Sequence, residues 1–118
     1  MRIAVIEESD EHLRLVCEQI VALGHDLSFV ASTAPDAIRA LSGHDIDVII
    51  SDQVLPGADG EELMREIRNA HRNIRVVAIS GSYLERSMLP TSKLLGASTV
   101  LPRPYQLSEL DHAIVGTR

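Results

Sequence analysis

Hydrophobic and polar positions fall into short blocks, and the period changes from one block to the next. Arg2 to Ile6 reads as a strand. Leu13, Val16, Ile20 and Leu23 then recur at a spacing near 3.5 residues, which predicts a helix capped by Ser9 or Asp10 and stopped by Gly24. Leu27 to Ala31 is a second strand. Thr33 with Asp36 makes a capping-box-like start, and Ala37, Ile38 and Leu41 carry a second helix as far as Gly43.

The run Ile46-Asp47-Val48-Ile49-Ile50-Ser51-Asp52 reads as a buried strand ending on a carboxylate, before a turn with Pro56-Gly57 and Asp59-Gly60. Asp59 or Gly60 is the expected start of a third helix with Leu63, Met64 and Ile67 inward. Ile74 to Ile79 is a fourth strand, bounded by Ser80-Gly81-Ser82. Pro90 is compatible with a helix only in its first turn, so a short fourth helix is expected from about Leu89. Ser98 to Leu101 is a fifth strand, and Ser108 is the expected cap of a last helix holding Leu110, Ala113 and Ile114.

Five β/α units in order predict an α/β fold with right-handed crossovers: a doubly wound, flavodoxin-like parallel sheet of strand order 2-1-3-4-5, with helices on both faces. Such a sheet points every strand's carboxyl end at one rim. That rim collects Glu7 and Glu8 after the first strand, Asp52 after the third, Ser80 after the fourth and Arg103 after the fifth.

Composition narrows the classes. The 118 residues suit one domain, and 45% hydrophobic residues suit a folded one. A net charge of -6 argues against a nucleic-acid surface. Arg65, Arg68, Arg72 and Arg75 read as a solvated helix face near a C-terminus, where cations complement the dipole. The single cysteine, Cys17, excludes an intrachain disulfide and reads as a small core side chain. No apolar stretch approaches the roughly 20 residues that span a bilayer, and no signal peptide is evident, so a cytoplasmic protein without membrane insertion is the expectation. The five histidines form no zinc-like pair.

The chemistry of the rim is specific. Three crowded carboxylates repel and raise one another's pKa unless a cation intervenes. Mg²⁺ (or Mn²⁺) suits them, taking hard oxygen ligands and retaining waters. A carboxylate can act as nucleophile toward phosphorus, a metal can neutralise charge on the transferred group, and a hydroxyl and a guanidinium can bind its oxygens. These parts fit phosphoryl acceptance by Asp52. Other chemistries on the fold meet obstacles. A phosphate site after the first strand would face Glu7, Glu8 and Asp10; an Asp-x-Asp phosphatase motif has Val54 in its second place; and no Gly-x-x-x-x-Gly-Lys loop is present.

In this constellation the chain resembles a response-regulator receiver domain over nearly all of its length. Val5-Ile6-Glu7-Glu8 is similar to the family's acidic pair, and Asp52 with Leu55-Pro56-Gly57-Ala58-Asp59-Gly60 to its phosphoacceptor and following loop. Ile79-Ser80-Gly81 is similar to the Thr/Ser switch position, and Gly96 to Tyr105 to the segment ending in Lys-Pro-Phe. The resemblance implies that Asp52 takes a phosphoryl group from a sensor histidine kinase or histidine phosphotransfer protein. Glu8 would bind Mg²⁺ directly, Glu7 mainly through water, and the Val54 carbonyl would be a further ligand. Ser80 and Arg103 would bond the phosphoryl group, and Arg103-Pro104 would be cis. A downstream protein would dock on the face of the fourth helix, fifth strand and last helix. The whole would be a single receiver domain without an output domain, a signalling domain rather than an enzyme beyond self-catalysed phosphoryl transfer and autodephosphorylation.

Three positions depart from the pattern. Glu7-Glu8 stands for a pair with at least one Asp, so each carboxylate reaches one methylene further. Arg103 replaces lysine, a planar fork in place of a compact ammonium. Val100 stands where a switching aromatic is usual, leaving Tyr105 or Tyr83 for another surface role. These departures motivate an alternative, a pseudo-receiver that binds partners independently of phosphorylation.

Overall fold

A computed structural model describes residues 1–52, 57–70, 73–80 and 99–116, with the side chains of Asp52, residues 57–61, Ala70 and Ser80 outside the description. Val54 and the Leu55-Pro56 turn, Arg72, Tyr83, the helix expected from about Leu89 and Ser98 also lie outside it. The described strands are β1 (Arg2–Ile6), β2 (Asp26–Ala31), β3 (Val48–Asp52), β4 (Arg75–Ser80) and β5 (Thr99–Pro102). The described helices are α1 (Asp10–Ala22), α2 (Ala34–Leu41), α3 (Gly57–Ala70) and α4, the C-terminal helix (Leu107–Val115).

All four strand pairings are parallel, in the order β2-β1-β3-β4-β5. This is the doubly wound order expected from the alternation of blocks. Residue alternation divides the sheet between two cores. Ile3, Val5, Val48, Ile50, Val77 and Ile79 turn toward Val16 and Ile20 of α1 and Leu110 and Ile114 of α4. Ala4, Ile6, Ile49 and Val76 turn the other way, toward Ala37 and Leu41 of α2 and Leu63 and Ile67 of α3. Burial on both faces explains why the central strands β1, β3 and β4 read as continuous apolar runs.

Local signals account for several boundaries. Ser9 caps α1, its side chain accepting the His12 N–H at 3.4 Å. Thr33 caps α2 through the Asp36 N–H at 3.3 Å. Gly24 follows α1 at φ 84°, a conformation that costs a residue with a Cβ about 1–2 kcal/mol.

Other boundaries differ from the sequence expectation. β2 and β4 begin at Asp26 and Arg75, and β4 runs on to Ser80. β5 starts at Thr99 and includes Pro102. α3 starts at Gly57, so Asp59 and Gly60 fall inside its first turn. The cap of α4 is Gln106, not Ser108: the Glu109 carboxylate accepts the Gln106 N–H at 2.8 Å, and the Gln106 carbonyl accepts from Leu110 at 3.1 Å. Arg75 is not part of a solvated helix face. It opens β4 and donates to the Ala113 carbonyl at 2.7 Å and to the Thr99 hydroxyl. Cys17 packs half-buried against the α1 side of the core, and that burial pushes its thiol pKa up.

Candidate functional site

The carboxyl rim is assembled by register. Ser51 pairs with Ile6 across β1 and β3, Asp52 with Ile79 across β3 and β4, and Ser80 with Pro102 across β4 and β5. Asp52 and Ser80 therefore end adjacent strands. Glu7 and Arg103 each stand one residue beyond the strand on either side.

Glu7 is held from both ends. Its backbone N–H donates to the Ala31 carbonyl at 3.0 Å, extending the β1–β2 ladder by one residue. Its side chain is buried, and Oε1 accepts the Ser9 N–H at 3.0 Å. The carboxylate thus lies at the amino end of α1, where open N–H groups and the helix dipole favour negative charge. Glu8 is exposed. Of the adjacent acids, one is fixed inside the rim and the other reaches into water.

Arg103 follows β5, and its bond to Pro104 is cis, as the resemblance implies. Nη2 stands 3.9 Å from Glu7 Oε2, with the two side chains 17% and 6% exposed. Two residues on, the Tyr105 hydroxyl donates to Gln19 Oε1 of α1 at 2.6 Å. Burial raises the Tyr105 phenol pKa, opposed by the nearby Arg103 charge and the Gln19 bond. Leu15, Gln19, Arg103, Pro104 and Tyr105 line an open groove of about 330 Å³ beside the rim. Val100 is half-buried in β5.

The structure brings Glu7 and Arg103 into contact and places Asp52 and Ser80 beside them by backbone register. The side chains of Asp52 and Ser80 and the Val54 carbonyl lie outside the described residues. Among the described residues no three His, Cys, Asp or Glu side chains converge as a metal site. The donor chemistry still fits a hard divalent cation: Glu7 offers Oε2 toward the rim, and Glu8 offers a solvated carboxylate. Two participants were not read from the sequence. Ser51 is a buried hydroxyl immediately before Asp52, and its only sequence signal is a polar residue closing an apolar run. Gln19 lies 86 residues from Tyr105, and no local pattern marks it.

Comparison with known proteins agrees with this geometry. The family model described as the response regulator receiver domain matches residues 3–115. Sporulation initiation phosphotransferase F of Bacillus subtilis is 26% identical over 110 residues, covering 93% of this chain and 88% of that protein. The chain also matches sensor kinases, of which it spans only 9 to 12% of the length. Among solved structures, the receiver domain of a Pseudomonas aeruginosa sensor histidine kinase, with magnesium coordinated in its active-site cleft, superposes with a TM-score of 0.80 at 22% identity. That match covers 96% of this chain and 93% of the other. A Saccharomyces cerevisiae response-regulator receiver domain, solved with its histidine phosphotransfer protein, superposes with a TM-score of 0.78 at 16% identity, over 98% and 86%.

Proposed function

Because the chain belongs to the response-regulator receiver family, we propose that Asp52 accepts a phosphoryl group from a sensor histidine kinase or histidine phosphotransfer protein and that the modified domain signals through a change at its surface. One observation carries this reading. The Glu7–Arg103 ion pair spans the ends of β3 and β4, so the backbone end of Asp52 lies between a buried anion and a half-buried cation.

An Asp52 carboxylate oxygen attacks phosphorus, the bond from phosphorus to the donor breaks, and the donor group leaves with the bonding electron pair. A divalent cation, Mg²⁺ or Mn²⁺, held by Glu8 and Asp52 with the Val54 carbonyl, and by Glu7 mainly through water, would neutralise charge on the transferred group. Ser80 donates its hydroxyl to a phosphoryl oxygen, and Arg103 supplies a charge-assisted contact to another. The magnesium-bearing Pseudomonas receiver and the yeast complex with a phosphotransfer protein support the metal and the donor class. The output face is that of the segment before β5, β5 itself and α4. The domain acts in the cytoplasm without direct nucleic-acid contact; no described helix is long and apolar enough to cross a membrane.

Incubation with a small phosphodonor and Mg²⁺ is expected to add one phosphoryl group by intact mass, and Asp52→Asn is expected to add none. A second reading, the phosphorylation-independent pseudo-receiver, is favoured by one feature: Arg103 already neutralises Glu7 without a metal. No mass increase with any small donor or kinase would sink the phosphoacceptor reading in favour of that one.

A further inference from the structure

Among the described residues two arginines are half-buried, Arg75 and Arg103. Arg103 faces a carboxylate. Arg75 does not: Nε donates to the Ala113 carbonyl at 2.7 Å and Nη2 to the Thr99 hydroxyl, both neutral acceptors. A guanidinium has N–H groups to spare beyond these two bonds, and those on Nη1 make none of the described ones. Gly116, at φ 85°, lays its backbone against the group; a Cβ there would stand 3.4 Å from Cζ and from Nη1. The cation is thus fixed in place, and it forms no ion pair among the described residues. Charge withdrawn from water is normally matched by an opposite charge.

Arg75 lines an open groove of about 380 Å³ between β5 and α4. Leu101 and Ala113, both buried, supply its apolar part. Ser108 and His112, exposed and one turn apart on α4, add a hydroxyl and an imidazole that can donate hydrogen bonds. Glu109 also lines the groove, but its Oε1 accepts the Gln106 N–H. The groove therefore offers one unmatched cation, two further donors and an apolar surface. A single carboxylate on a short aliphatic stem matches all three. A phosphate, with nearly two negative charges, would leave an excess beside Glu109. Resting on the output face proposed above, we infer that this groove receives an acidic side chain of the downstream protein, a Glu or Asp flanked by apolar residues. The carboxylate pairs with Arg75 and is held by Ser108 and His112, while the flanking residues cover Leu101 and Ala113. The same arginine that fastens β4 to α4 with two of its nitrogens recognises the partner with the third.

The test is titration of the full ¹⁵N-labelled, unphosphorylated chain with acetyl-Leu-Glu-Leu-amide and, as a control, acetyl-Leu-Gln-Leu-amide. The acidic peptide is expected to bind with a Kd on the order of millimolar and to move the Arg75 Nε–Hε signal together with the Thr99, Leu101 and His112 amides. This readout needs no variant to fold. The control is expected to bind at least roughly tenfold more weakly, the scale of a lost bond to a charged group. Ser108→Ala and His112→Ala, both at exposed positions, are each expected to weaken the acidic peptide by roughly threefold. Equal shifts with both peptides, or a response centred elsewhere on the domain, would overturn the inference. So would glutarate binding as tightly as the peptide, which would make the ligand a free acid. Groove signals that follow protein concentration without peptide would make the occupant a second copy of this chain, and would overturn it too. Phosphoryl labelling is read by intact mass on the same preparation. Labelling without peptide binding sinks the groove and leaves the phosphoacceptor reading standing; peptide binding without labelling upholds the groove and sinks that reading.

Discussion

At the amino rim of the sheet, Arg2 meets Asp45 at 3.4 Å and Asp47 at 3.3 Å, with all three side chains substantially in water. At the carboxyl rim Arg103 meets Glu7 at 3.9 Å, with both withdrawn from it. The exposed pairs fasten loop ends and cost little to keep. The carboxyl-rim pair, one group buried and the other half-buried, is held at a greater desolvation cost. On the proposed reading, charge at one rim serves attachment and charge at the other serves chemistry. The remaining amino-rim contacts fit the same division. His25 Nε2 lies 2.8 Å from Asp111 Oδ1 and joins the turn before β2 to α4. Arg75 joins the start of β4 to the end of α4 and the start of β5.

The largest effect that could break this division is on labelling. Asp52→Asn is expected to abolish phosphoryl incorporation, while Asp47→Asn, with its carboxylate at the opposite rim, is expected to label at the wild-type rate. Equal loss in both variants, measured by intact mass over time, would mean that the rims are not separable. Next comes the Arg75 clamp. Its guanidinium bonds two partners and lies 3.4 Å from where a Cβ on Gly116 would sit, at a glycine of φ 85° that follows α4. Arg75→Ala is expected to cost about 2 kcal/mol, the scale of hydrogen bonds from a charged group, read as a lowered urea midpoint with labelling retained. A midpoint unchanged within error would show that the Arg75 contacts do not help to fasten α4.

A smaller effect tests the link from the carboxyl rim to α1. Tyr105→Phe removes the hydroxyl that bonds Gln19. About 1 kcal/mol of stability should go with it. In a Tyr83→Phe background, where Tyr105 is the remaining tyrosine, absorbance titration should place its ionisation above the usual phenol range, since burial raises it. Ionisation at the ordinary value would show that the ring is not packed as described.

Much of this was legible in the sequence because it is encoded locally. The apolar runs gave the strands, Ser9 and Thr33 announced their helices, and Pro104 after Arg103 allowed the cis bond. What was not legible depends on residues far apart in the chain. Glu7 and Arg103 read as separate rim residues, and nothing local says that their side chains meet. Arg75 matched a helical arginine spacing, yet β4 begins on it, because the following Val76 and Val77 are needed by the sheet's two cores. Ser108 is a better intrinsic cap than Gln106, but Glu109 stands three residues beyond Gln106 and bonds its N–H.

The smallest effect is the most direct test of what an exposed pair contributes. Asp47 accepts the Arg2 backbone N–H at 2.8 Å and, more loosely, the Arg2 guanidinium at 3.3 and 3.4 Å. These contacts hold its carboxyl below the usual range, the backbone bond contributing most and the side-chain bond next. A depressed folded-state pKa adds stability that is present above the unfolded value, about 3.9, and is lost as pH falls through the folded value. Because the carboxylate is largely solvated, the contribution should stay below about 1 kcal/mol and shrink with added salt. In Asp47→Asn the amide oxygen can still accept the Arg2 N–H, so only the charge-dependent part disappears. The expected result is a shallower fall in urea stability below about pH 4 than in the wild type, with little difference at neutral pH. Identical slopes would assign Asp47 no net electrostatic role. A neutral-pH loss well above about 1 kcal/mol would instead put the amino rim among the sites where charge is held against its solvation, and the contrast between the rims would fail.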